Sequence, residues 1–198
     1  MSEKQHLIID CDGVLLDPIY GFIKWVLFNF PSINIGKVIR NNANFIDECI
    51  IAYWHSSNFS KLPMLKSAKY PIEFLKNKYD IDVVTNCGNE SDIRNARVKN
   101  LENLFGKGTF KNIYTLSFKA SKREIYDIYN NALVIDDELP NIIEAEKSKH
   151  GHKTFWMNYY PLFKALAYNK YDKSLEKYFE KKNWKDIISY TMNNNLTK

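Results

Sequence analysis

The run Leu7-Ile8-Ile9-Asp10-Cys11-Asp12-Gly13-Val14-Leu15 constrains this chain more than any other stretch. A wholly apolar segment stops at two carboxylates set one residue apart, with glycine after them. A buried strand has no use for acids at its end, because desolvating a carboxylate is costly unless a cation or hydrogen bonds compensate. In an extended chain, side chains at i and i+2 lean to the same face. Asp10 and Asp12 are therefore expected to aim at one point just beyond the strand, an arrangement suited to a divalent cation and to a paired nucleophile and proton donor. A strand followed by an acidic turn is the plainer alternative, since Asp and Gly are ordinary turn formers.

The rest of the chain gives that pair a setting. With 198 residues, 45% apolar and 15% aromatic, it is long enough to bury one full core with a small insertion. Strand-like apolar runs at 6–10, 81–85, 112–116, 132–135 and 152–157 alternate with helical patterns at 91–105, 121–129 and from Pro140 to about Lys149. That alternation predicts an α/β fold, a Rossmann-like parallel sheet flanked by helices. Ser121 and Glu124 have the spacing of a capping box for the helix at 121–129. Residues 161–198 read as further helices, fraying at 193–195. Between Asp17 and Tyr70 the alternation breaks, and apolar helices are expected at 20–30 and 45–54, with Asp17 capping the first. So long an interruption predicts a small helical cap over residues 17–70, inserted after the first strand. Residues 1–16 and 71–198 then form the core domain.

In a doubly wound parallel sheet, ligands bind beyond the carboxyl ends of the strands. Asp10 and Asp12 end the first strand, Thr85 and Asn86 the second, and Asp136 and Asp137 the fourth. Lys119 and Lys122 flank the start of the helix after the third. These ordered motifs resemble those of the haloacid dehalogenase (HAD) superfamily, over most of the chain from Leu7 to about Met157. The resemblance implies a phosphatase in which Asp10 is the nucleophile and Asp12 the acid and base. Mg²⁺ would be held by Asp10, the Asp12 carbonyl and an acid after strand four, with Asp137 preferred and Asp136 an alternate or neighbouring ligand. Thr85 and the backbone around Asn86 would bind phosphoryl oxygens. A lysine would offset their charge, Lys122 being preferred to Lys119. Asp12 favours phosphate esters over haloacids, because halide leaves without a proton.

Substrate and setting are expectations of a weaker kind. The sequences Asp-Gly-Val-Leu-Leu-Asp and Ile-Asp-Asp-Glu-Leu-Pro-Asn resemble the branch containing 5′(3′)-deoxyribonucleotidases and phage-type phosphatases, which implies nucleotides or similar small phosphorylated metabolites. Tyr20, Trp25, Phe45, Tyr53 and Trp54 could stack a base, although aromatic residues at helical spacing more often form core. Arg94 and Arg97 read as a solvated helix face, and His55 has no evident partner. The net charge of +5 leaves nucleic acid, as substrate of a 3′-end phosphatase, an alternative that is not favoured. A non-catalytic binding protein on the same scaffold would not need both Asp10 and Asp12. Cys11, Cys49 and Cys87 have no metal-ligand spacing and suggest a reducing, cytoplasmic setting. A redox switch at Cys11 and Cys87 is the minor reading. No run long enough to span a bilayer and no signal-peptide pattern is evident, so no membrane partner is expected.

Overall fold

The protein is described by a computed structural model over residues 4–33, 43–157 and 183–193. Its centre is a sheet of five parallel strands: β1 (His6–Ile9), β2 (Asp80–Thr85), β3 (Asn112–Thr115), β4 (Leu133–Asp136) and β5 (Lys153–Trp156), in the spatial order β3-β2-β1-β4-β5. The expected Rossmann-like architecture is thus present. β1 lies in the middle, with Ile9 beside Val83 on one side and Ile135 on the other. Its residues Leu7, Ile8 and Ile9 are buried, as are Val83, Val84, Val134 and Ile135, which explains the continuous rather than alternating apolar runs. The strand that carries the acids is therefore clamped from both sides.

Helices α1 (Pro18–Asn29) and α2 (Ala43–Trp54) follow β1, then a single 3₁₀ turn at Phe59–Lys61 and α3 (Lys69–Leu75). α4 (Ser91–Phe105) follows β2, α5 (Arg123–Tyr126) follows β3, α6 (Leu139–Glu146) follows β4, and α7 (Trp184–Asn193) closes the described chain. α1 starts two residues earlier than expected because Pro18 suits a first helical turn, and the Asp17 carboxylate accepts from the Tyr20 N–H at 2.9 Å. Phe22 and Trp25 of α1 both meet Tyr53 of α2, with ring centres 5.8 and 5.6 Å apart. These are largely packing residues, whereas Tyr20 is exposed.

Several boundaries moved for local reasons. β4 runs 133–136 rather than 132–135: Asp136 pairs with Trp156, while the Ala132 N–H turns to His152 Nδ1 at 3.2 Å. His152 falls outside β5 because its ring bridges this N–H and the Tyr126 carbonyl, 2.8 Å from Nε2. The helix expected at 121–129 shrinks to one turn. Ser121 does not make the capping box with Glu124; its hydroxyl donates to Glu144 and accepts from the Arg123 N–H at 3.1 Å. Residues 158–182 and 194–198, which hold most of the helices expected over 161–198, and 34–42 within the expected cap lie outside the described residues. Among the described residues no helix is long and apolar enough to cross a membrane.

Candidate active site

β1 delivers Asp10 to the middle of the rim. The Asp10 N–H donates to the Ile135 carbonyl at 2.8 Å, continuing the ladder one step past the strand and bringing Asp10 beside Asp136. The chain then folds tightly back: Leu15 and Leu16 N–H groups both donate to the Cys11 carbonyl, at 2.8 and 2.9 Å. Gly13 makes this possible with φ of +79°. It is also required by space, because a methyl group there would collide with the Asp137 carboxylate.

Lys122 meets these acids from the other side. It is 1% exposed, and its Nζ donates to Asp10 Oδ1 at 2.9 Å and to Asp136 Oδ2 at 2.7 Å. Glu144 fixes its backbone by accepting the Lys122 N–H at 3.0 Å. Burial alone would lower the Lys122 ammonium, but Asp10 and Asp136 outweigh it and hold its pKa well above the usual value. Burial pushes the Asp10 carboxyl up to about 7, with Lys122 pulling the other way and Asp136 and Asp12 adding to the rise. The centre thus holds more negative charge than one lysine neutralises, which is the electrostatic condition for taking up a cation.

Asp10, Asp136 and Asp137 each offer an oxygen within 4.8 Å of the others, a hard donor set suited to Mg²⁺. The three differ in their access to the cavity, which Asp10 and Asp137 line and Asp136 does not. Asp136 accepts from Lys122, from the Glu138 N–H at 2.8 Å and from Asn141 Nδ2 at 3.1 Å to both oxygens. Asp137, against Gly13, is itself part of the cavity lining, with Asp10 and Asp12. The residues present fit a divalent cation held by Asp10 and Asp137, with Asp136 orienting the lysine.

A cavity of about 510 Å³ opens over these groups. Its polar floor includes Asp10, Asp12, Thr85, Asn86, Lys122 and Asp137, and its wall is formed by Ile19, Phe22, Ile50, Tyr53, Trp54 and Phe118. The structure therefore brings every sequence-predicted site residue except Asp136 to one cavity lining, and Asp136 sits directly behind. Lys119 does not join them: it is exposed at φ +61°, its Nζ 4.7 Å over the Phe118 ring. Asn86 uses its side-chain amide to hold the carbonyls of Ser117 and Ala120, at 3.1 and 2.8 Å, tying the turn after β2 to the segment after β3.

Two readings from sequence are overturned. Arg97 is not on a solvated face; it is completely buried, with Nη2 donating to Asp12 Oδ2 at 2.7 Å. The signal was present, since Arg97 falls four residues after Ile93 and four before Leu101 on the buried stripe of α4. His55 does have a partner, Asp92 Oδ2 at 2.7 Å, an exposed pair joining the end of α2 to the start of α4. Burial raises the thiol pKa of both Cys11 and Cys87, outweighing the nearby Arg97, so neither has the exposed thiolate character of a redox switch.

No protein-family model and no curated protein matches the sequence. Solved structures do. A haloacid dehalogenase-like hydrolase from Streptococcus pneumoniae superposes with a TM-score of 0.60 at 13% identity, over 96% of this chain and 100% of that one. YfnB from Bacillus subtilis, named as a HAD-hydrolase and bound to magnesium, gives 0.55 at 16% identity, over 79% and 88%. The L-2-haloacid dehalogenase of Xanthobacter autotrophicus gives 0.54 at 13% identity, over 78% and 77%. The chain has the fold of the HAD superfamily hydrolases.

Proposed function

We propose that this protein is a Mg²⁺-dependent phosphomonoester hydrolase that works through an aspartyl-phosphate on Asp10. The observation that carries the reading is the buried Asp10–Lys122–Asp136 bridge, with Asp12 and Asp137 beside it on the floor of one cavity. A carboxylate oxygen of Asp10 bonds to phosphorus as the bond to the ester oxygen breaks, and Asp12 gives that oxygen a proton. Asp12, now ionised, takes a proton from water as the water oxygen attacks phosphorus, which frees phosphate and restores Asp10. Lys122 holds Asp10 in line and offsets phosphoryl charge, and Thr85 and the backbone at Asn86 bind phosphoryl oxygens. Mg²⁺ held by Asp10, the Asp12 carbonyl and Asp137 would supply positive charge against the same oxygens.

Asp12 supports ester hydrolysis over dehalogenation, since an alkoxide leaving group needs a proton and a halide does not. The aromatic and aliphatic wall supports a nucleotide or another small metabolite with a flat or apolar portion. Hydrolysis of p-nitrophenyl phosphate with Mg²⁺ and with EDTA tests the reaction. Asp10→Asn is expected to remain folded and lose essentially all turnover. A panel of nucleoside monophosphates, sugar phosphates and 3′-phosphorylated oligonucleotides tests the substrate, with mononucleotides expected to give the highest kcat/KM.

A further inference from the structure

Arg97 is an expensive residue to bury. It is wholly inaccessible; its Nη2 donates to Asp12 Oδ2, the Cys87 thiol lies beside the guanidinium, and Nε and Nη1 find no nitrogen or oxygen partner among the described residues. Its guanidinium lies 4.3 Å from the centre of the Phe59 ring. A buried ion pair of this kind adds little stability over an apolar replacement of similar volume, so stability does not account for an arginine here. What the arginine does have is one anionic partner, and that partner is Asp12.

Asp12 in turn has little else to fix it. It sits in the tight turn after β1, its Oδ1 is shielded from water, and this oxygen has no hydrogen-bond partner among the described residues. The backbone bonds of the turn set where the residue is, but the Arg97 contact sets which way its carboxylate faces. Helix α4 thereby reaches from the phosphate-binding turn after β2 to the acid on the turn after β1.

We infer that Arg97 is a positioning residue for proton transfer by Asp12: it anchors Oδ2 at 2.7 Å and so limits the orientations open to the carboxylate. The inference rests on the phosphomonoesterase reading above. A proton must be delivered for a basic leaving group and matters much less for an acidic one, so the contribution of Arg97 depends on what leaves.

The experiment compares kcat/KM, which reports the steps through release of the leaving group, for p-nitrophenyl phosphate and phenyl phosphate. Arg97→Met, like Asp12→Asn, is expected to lose at least tenfold more on phenyl phosphate than on p-nitrophenyl phosphate, and Arg97→Lys to recover part of the difference. In an Asp12→Asn background, Arg97→Lys is expected to cause no further loss, because the group it positions is gone. Equal losses on both esters, or a full additional loss in the double variant, would show a merely structural role and overturn the inference. Should Arg97→Met not fold, Arg97→Lys and the double variant decide alone. Wild-type protein inactive on both esters would instead defeat the phosphomonoesterase reading itself, and the positioning role with it.

Discussion

Replacing Lys122 by Met retains the length and much of the apolar stem of the side chain and removes its charge. In the native protein that charge sits 2.9 Å from Asp10 and 2.7 Å from Asp136, with all three residues buried. Removing one partner of a buried pair leaves an uncompensated charge and costs roughly 3–5 kcal/mol. The penalty has an escape, because Asp10 already prefers its proton up to a pH of about 7. Below that pH only Asp136 is left exposed to the loss, so the variant is expected to be less destabilised at pH 6 than at pH 8. Urea unfolding in EDTA reads this directly. With an m-value of about 2 kcal/mol/M, the midpoint at pH 8 falls by about 2 M at unchanged m. Added Mg²⁺ restores part of the loss by replacing the missing positive charge. A shift corresponding to less than about 1 kcal/mol, or one identical at both pH values, would refute the charge-balance account of this centre.

Three further outcomes are expected. Because burial raises the folded-state pKa of Asp10 above its unfolded value, its contribution to stability without metal is complete below about pH 4 and is lost as pH rises through about 7; thermal melts in EDTA should show this decline, and Mg²⁺ should blunt or reverse it. Asp137→Asn should weaken Mg²⁺ binding by more than tenfold in calorimetry, while Asp136→Asn should weaken it less and instead loosen Lys122; the reverse order would exchange their roles. Gly13→Ala should cost about 1–3 kcal/mol through backbone strain at φ +79° and, by displacing Asp137, should also reduce Mg²⁺ affinity, which a titration separates from the loss of stability.

The strand ends were legible because a buried apolar run terminated by acids admits few explanations. Asp10, Thr85 and Asp136 needed only the order of strands to be read as neighbours. Arg97 was missed for a physical reason: α4 is so polar overall that its buried stripe, in which Arg97 and Asn100 sit with Ile93 and Leu101, is hard to see by composition. Asn100 is buried to donate to the Leu62 carbonyl at 3.1 Å, and neither partner is near the other in sequence. The His55–Asp92 pair spans 37 positions and leaves no local trace. At Ser121, the capping-box spacing was real, but Glu144 competed successfully for the hydroxyl, a contest decided only by tertiary placement.

The order β3-β2-β1-β4-β5 has one more consequence. The chemical groups at the rim come from the ends of four strands and the segments beyond them, the first from residue 10 and the last from residue 137. No fragment of the polypeptide that omits either half of the sheet can keep the centre, however well it collapses. Under the proposed function, ion uptake and turnover would gauge complete assembly, and a refolding chain should regain them last, after its spectroscopic signature of helices and strands has already returned.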